Sequence, residues 1–124
     1  MGATYSIERD RFLIRTHVSG SITSPQLLEM YERMIADPHF SAAYNQLADW
    51  REVTELRVLT SAVREAAKSH PFIAGTKRAI VVGSDVVYGV ARVFAAHAEH
   101  VGQDVRVFRD MEDALEWVGL SGGT

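Results

Sequence analysis

Apolar and polar residues alternate over the first part of the chain, and a period of two is typical of half-buried β-strands. Tyr5 and Ile7 share one face of a first strand, and the charged residues 8–11 follow. A second strand then places Phe12, Ile14, Thr16 and Val18 on one face. The pattern predicts a β-hairpin whose second strand ends at residues 19–21.

Apolar residues then recur three and four positions apart, which predicts a first helix. Ser24 is a suitable N-cap, and Pro25 is favoured in a first turn. The helix should end at Asp37, because Pro38 disfavours helical backbone in the residue before it. Its inward face should comprise Leu27, Leu28, Met30, Tyr31, Met34 and Ile35.

The middle of the chain predicts a short strand over residues 44–50, with Leu47, Ala48 and Trp50 as its apolar content. The polar residues 51–55 predict a connection, and residues 56–70 a second helix. The inward face of that helix should comprise Leu56, Leu59, Val63, Ala66 and Ala67. Pro71 should end the helix, and residues 72–76 should form a loop.

Four consecutive apolar residues, 79–82, predict a strand that is buried on both faces of a partly parallel sheet. Gly83 predicts a turn, and Ser84 or Asp85 can cap a long helix that runs to about Val101. The glycine turn lacks the spacing of the nucleotide-binding glycine loops. A helix start is therefore the better interpretation of this turn.

A short alternating strand over residues 105–108 and a helix over residues 110–117, capped by Asp110, complete the pattern. The order is β-β-α-β-α-β-α-β-α. Helices between successive strands imply right-handed crossovers and parallel neighbouring strands. The sequence therefore predicts one α/β domain over residues 1–124, with an ordered core from about 4 to 119, four helices and a mixed, mostly parallel sheet.

Composition narrows the class of protein. The chain has 124 residues, 47% of them apolar, and no cysteine, so a disulfide framework and a thiolate metal site are excluded. A net charge of −3 argues against nucleic acid as a partner. The apolar runs are far shorter than the roughly 20 residues that span a bilayer. We expect a cytoplasmic protein, monomeric or homodimeric.

The element order and three segments of the chain resemble the SpoIIAA-like family of the STAS-domain superfamily. The segments are LADW, RAIVVG and DVRVFRDMEDALEWV. The most characteristic block comprises Val105, Val107, Phe108, Ala114 and Trp117. The resemblance covers about residues 5–118. It implies a small bacterial cytoplasmic domain without enzymatic activity, which binds a partner protein or a small apolar ligand. The fold is also compared with a class of lipid-carrier domains.

The sequence departs from the superfamily's regulatory motif. Anti-sigma-factor antagonists carry Asp-Ser-Ser/Ala-Gly after the third strand, and a kinase phosphorylates the first serine. Here residues 49–56 are DWREVTEL, with no serine. Thr54 is the only hydroxyl nearby, and its position predicts a helix cap ahead of Leu56. A phosphorylation switch is therefore not supported.

The long third helix carries a wide apolar arc that contains His97. His97 is either a core histidine with a backbone or carboxylate partner, or a polar contact in an apolar pocket. With His100 it supplies only two metal ligands, too few for a zinc site. No Gly-x-Ser-x-Gly turn is present. We expect neither metal nor cofactor, and no catalysis. The hypothetical ligand site comprises Val90, Phe94, His97, Leu59 and Val63.

Six basic and three acidic residues fall between Arg51 and Arg78, whereas acidic residues outnumber basic ones in the rest of the chain. This stretch predicts either a solvated helix flank or a weak, salt-sensitive contact with an anionic membrane surface. The residues of that contact would be Arg57, Arg64, Lys68, Phe72 and Lys77. The leading hypothesis is a ligand-binding domain for an apolar or lipid-like molecule, peripheral at the inner membrane face. The alternative is a STAS-type protein-interaction module.

Overall fold

The computed structural model of the protein describes residues 2–57, 61, 76–99, 102 and 104–119. Within them the strands are β1 Gly2–Glu8, β2 Leu13–Thr23, β3 Asn45–Arg57, β4 Lys77–Val82 and β5 Asp104–Phe108. The helices are α1 Ser24–Ala36, α2 Asp85–Glu99 and α3 Met111–Trp117. The helix predicted over residues 56–70 falls mainly outside the described residues, so these contain three helices and do not support the predicted four.

The five strands form one sheet in the order β1-β2-β3-β4-β5. The first two strands are antiparallel and are joined by the 3₁₀ turn Arg9–Arg11, and every other neighbouring pair is parallel. The prediction of a mixed, mostly parallel sheet in an α/β domain is therefore confirmed. In the central pair, Gln46 lies opposite Arg78 and Trp50 lies opposite Val82.

β2 is longer than predicted, because it continues to Thr23 through the segment that was expected to end it. The pairing with β3 shifts register twice, between His17 and Ser19 and between Gly20 and Ser21. Gly20 has a φ of 72°, a conformation that favours glycine. These irregularities break the alternation of side chains, and they are typical of β-bulges.

β3 also exceeds its prediction, since residues 51–57 continue the strand, which pairs with β2 from Glu52 to Arg57, and do not form a connection. Val53 is buried there, whereas its neighbours Glu52 and Thr54 are exposed. Thr54 is therefore a strand residue, and its predicted role as a helix cap is wrong. Leu56 and Arg57 likewise belong to the strand and not to the start of a helix.

Alternate strand positions send side chains to two apolar layers. On one face, Ala48 and Ile80 pack with Met30 of α1 and Ala91 of α2. On the other face, the core residues are Leu13, Leu47, Ala79, Val81 and Ala114, so that α3 covers the sheet there. The burial of all four residues 79–82 confirms that β4 is covered on both faces.

Side-chain caps set the helix starts. Thr23, and not the predicted Ser24, caps α1: Thr23 Oγ1 accepts from the Gln26 N–H at 3.4 Å, and Gln26 Oε1 accepts from the Thr23 N–H at 2.9 Å. Ser84 Oγ accepts from the Val87 N–H at 3.3 Å and caps α2, as predicted. The predicted cap at Asp110 is confirmed by its bond from the Glu112 N–H at 2.8 Å.

The apolar faces of the helices are wider than the part of each helix that the sheet covers, so some apolar side chains stay exposed. Met30 and Met34 are buried in α1, but Leu28 on the same helix is 47% exposed. In α2, Val86 is 74% exposed and Val93 is 45% exposed, although both belong to the apolar arc of this helix. Phe12, predicted as part of the second strand's apolar face, lies before β2 and is also exposed.

Candidate functional site

A narrow groove lies on the face of the sheet that carries α1 and α2, with a volume of about 680 Å³ that includes its opening to solvent. Alternate residues of the two central strands form its floor, namely Gln46, Ala48 and Trp50 of β3 and Arg78 and Ile80 of β4. A strand rises about 3.3 Å per residue, so the floor extends for roughly 13 Å from Gln46 to Trp50.

The walls of the groove are contributed by the two helices. α1 supplies Leu27, Leu28 and Tyr31, and α2 supplies Val90, Ala91 and Phe94. Most of these side chains are apolar, as in small-molecule sites where a few polar groups orient the ligand. The partial exposure of Leu28 places apolar surface at the rim of the groove.

One end of the floor carries a buried polar network around Arg78, which is 4% exposed. Arg78 donates from Nε to Gln46 Oε1 at 2.9 Å. Gln46 in turn donates from Nε2 to Thr16 Oγ1 and to the Tyr31 hydroxyl, each at 3.2 Å. The Arg78 guanidinium carbon lies 5.4 Å from the centroid of the Phe94 ring. Bonds and ring contact together hold the guanidinium in one orientation.

Arg78 is the only charged side chain among the described residues that line the groove. Burial lowers the pKa of its guanidinium, and the Tyr31 hydroxyl opposes that change. Arginine nevertheless stays protonated at neutral pH. The Arg78 guanidinium therefore places a positive charge at the end of the groove where β3 and β4 begin.

The opposite end of the floor carries Trp50, whose indole Nε1 is buried and has no hydrogen-bond partner in the part of the chain that the structure describes. A buried donor left without an acceptor costs on the order of 1–3 kcal/mol. The groove thus combines apolar walls with a donor at each end of its floor.

Of the predicted ligand-site residues, Val90 and Phe94 line the groove. His97 is partly exposed on α2 and is not among the described lining residues. Leu59 and Val63 lie outside the described residues.

The predicted membrane-contact residues do not come together in the described part of the chain. The exposed Arg57 pairs with Glu55, with Nε and Oε2 3.1 Å apart. Lys77 donates from Nζ to the Trp117 carbonyl at 3.1 Å, on the face that α3 covers. The remaining members, Arg64, Lys68 and Phe72, lie outside the described residues.

Three important residues of the groove were missed as site residues: Arg78, Gln46 and Trp50. Gln46 and Arg78 are 32 positions apart, and only the parallel register of β3 and β4 makes them neighbours. One local signal was available: Arg78 directly precedes the four apolar residues of a strand buried on both faces. A charged residue within such a strand is expected to have a buried charge.

The other face of the sheet carries Asp49, which accepts from Arg51 Nε and Nη2, each at 2.9 Å. The Arg51 guanidinium lowers the pKa of the Asp49 carboxyl group. Within the described ranges, no three His, Asp or Glu side chains are close enough to bind one metal ion. None of the described helices is both long and apolar enough to cross a membrane.

Comparison with known structures identifies the fold. An uncharacterised protein of the DUF3478 family with a SpoIIAA-like fold, from Shewanella loihica PV-4, superposes with a TM-score of 0.61. The match covers 94% of each chain at 20% sequence identity. The protein therefore has a SpoIIAA-like fold, as the resemblance implied. No protein-family model matches the chain. No curated protein matches it either.

Proposed function

We propose that this SpoIIAA-like protein binds one apolar, lipid-like small molecule in the groove between the sheet and helices α1 and α2, without catalysing a reaction on it. The observation that carries the proposal is an open groove whose walls are apolar and whose floor ends in the Arg78 network. Sites with apolar walls and a few polar groups are typical of small-molecule binding.

The alternative is a protein-interaction module in signalling or regulation, without the phosphorylatable serine motif. A protein partner would contact the rim, where Leu28 is partly exposed. We favour the small molecule because the apolar surface is concave and reaches the buried residues Ala48 and Ala91, which a flat protein surface cannot contact. Contact with an anionic membrane, from which such a ligand could be taken up, is part of the proposal.

The proposal is tested by native mass spectrometry of protein purified from cells. We expect the wild-type protein to retain a small apolar molecule. Val90→Phe enlarges a residue that lines the groove, and the bound molecule should be lost. Val93→Phe makes the same change at an exposed position on α2 that does not line the groove, so that retention should persist.

Two results would count against the proposal. Equal retention in both variants would mean that the molecule binds elsewhere. A wild-type chain that carries no small molecule but co-purifies with a protein would support the interaction module.

A further inference from the structure

Resting on the proposed function, we propose that the ligand carries an uncharged carbonyl oxygen that accepts a hydrogen bond from the indole Nε1 of Trp50. Trp50 lines the groove at one end of its floor, where it lies opposite Val82 of β4. Its Nε1 is buried and is without a hydrogen-bond partner in the described part of the chain. Buried polar groups in proteins are generally paired, so an unpaired donor beside a ligand groove indicates a bond that the ligand completes.

The polar residues at the opposite end of the floor differ from Trp50 in this respect. Gln46 donates to the hydroxyls of Thr16 and Tyr31. Its Oε1 also accepts from Arg78 Nε. These bonds join residues of the protein to one another, whereas Trp50 Nε1 has no acceptor among the described residues.

The burial of Nε1 in the free protein favours the binding of an acceptor. A donor that is exposed to water must give up its bond to water before it can bind a ligand. Because Nε1 is already buried, this loss belongs to folding and not to binding. A ligand oxygen that accepts from Nε1 therefore adds to the affinity without that cost.

The donor also restricts the chemical class of the ligand group. The indole N–H donates and cannot accept, so its partner must be an acceptor. A hydroxyl would bring its own O–H, which also needs a partner within apolar walls. A carboxylate would bring a charge, and the charged residue among the described lining residues, Arg78, lies opposite Gln46 at the other end of the floor. The carbonyl of a ketone or an ester avoids both costs.

The test is proton–nitrogen correlation NMR of the isotope-labelled wild-type protein at neutral pH. The chain has two tryptophans, Trp50 and Trp117, and Trp117→Phe assigns their indole N–H signals. Trp117 packs against Phe108 on the opposite face of the sheet and provides an internal control. The probes are hexyl methyl ketone and the alkene in which a methylene group replaces its carbonyl oxygen. Both probes have nearly the same shape, and only the ketone can accept a conventional hydrogen bond.

We expect the ketone to move the Trp50 indole proton signal downfield, because a hydrogen bond deshields the donated proton, and to leave the Trp117 signal in place. The alkene should cause no such downfield shift. Affinities are measured from the backbone amide signal of Ala91, which lines the groove. Trp50→Phe should weaken the binding of the ketone about three- to tenfold more than that of the alkene, since one neutral hydrogen bond is worth that factor. Comparison of the two losses removes the effect of the smaller ring.

Val90→Phe provides a second variant in case Trp50→Phe does not fold. It enlarges a residue of the groove wall and keeps the indole, so the ketone should no longer move the Trp50 signal. Val93→Phe makes the same change at an exposed position that does not line the groove, and the shift should persist. Octanoate has as many carbon atoms as the ketone but carries a charge, so it should bind more weakly.

The possible outcomes separate the two proposals. A ketone that binds beside Ala91 without moving the Trp50 indole signal would overturn the carbonyl assignment and leave the apolar-ligand function intact. Equal losses of ketone and alkene affinity in Trp50→Phe would also overturn the assignment, and so would tighter binding of octanoate than of the ketone. Binding of none of the three probes would overturn the proposed function itself.

Discussion

Gly83, directly after β4, has so little space around its Cα that alanine should destabilise the protein. A Cβ at this position would lie 2.6 Å from the Arg51 carbonyl oxygen, and Cα and C of Arg51 would be 3.3 and 3.4 Å away. All three atoms are backbone atoms of the central strand β3, so they cannot move as a flexible side chain would.

The magnitude follows from this contact. Ordinary contacts of a Cβ begin at 3.4 Å, so the turn after β4 and the strand β3 must separate by about 0.8 Å. Overpacking of this kind costs roughly 1–3 kcal/mol. The lower entropy of the unfolded chain offsets about 0.4–1 kcal/mol of that cost. We therefore expect Gly83→Ala to lower the free energy of unfolding by about 1–2 kcal/mol, in a domain whose total is on the order of 10 kcal/mol.

The measurement is urea unfolding at neutral pH, followed by circular dichroism, with Gly89→Ala as the matched control. Gly89 lies within α2, and a Cβ there would meet no atom within 4 Å. The control should raise the free energy of unfolding by about 1 kcal/mol, because alanine is the better helix former. A Gly83→Ala protein as stable as the control would refute the reasoning, since the same substitution would then act only through backbone entropy.

Two further predictions concern a cap and an ion pair. Thr23→Ala removes the N-cap of α1 and should lower the free energy of unfolding by about 1 kcal/mol, whereas Thr23→Ser keeps a hydroxyl that can cap the helix and should change it much less; equal effects would contradict the assigned cap. Arg51 lowers the pKa of Asp49 in the folded protein. The stability that this pair contributes is therefore fully present above the carboxyl pKa of the unfolded chain, which is about 4. It is lost as the pH falls through the lower pKa of the folded protein. The stability difference between the wild-type protein and Asp49→Asn should therefore shrink from pH 5 toward about pH 2, and a constant difference would argue against the pair.

The sequence predicted those strands and helices in which the local pattern of apolar and polar residues matches the burial of each position in the fold. Residues 79–82 are apolar at every position because β4 is covered on both faces. The extensions of β2 and β3 were missed because their residue pattern does not match their place in the sheet. Beyond Trp50, β3 pairs with β2 but no longer with β4, and polar residues are tolerated in such a partly covered strand. The bulges near Gly20 further break the period on which the prediction depended.

The candidate site was predicted only on its helical side. Val90 and Phe94 follow from the apolar arc of α2, which any helical projection reveals. Arg78 and Gln46 could not be paired in the same way, because strand register is set by long-range contacts that leave no local spacing. Arg78 was therefore counted only as one member of a basic stretch, although it is buried on the floor of the groove.

The polar residues of the groove floor come from strands, whereas the apolar residues of its walls come from helices. This separation bears on how such a protein can evolve. Gln46 and Arg78 lie directly opposite each other on two hydrogen-bonded strands, where a change disturbs the sheet itself. Leu28 and Val90 lie on helices and are only partly covered, so their size can change while the strands keep their register. Variation at helix positions can therefore alter the length or width of the groove while its polar end stays constant. One sheet of this design can give rise to a series of proteins whose grooves share a polar end and differ in shape.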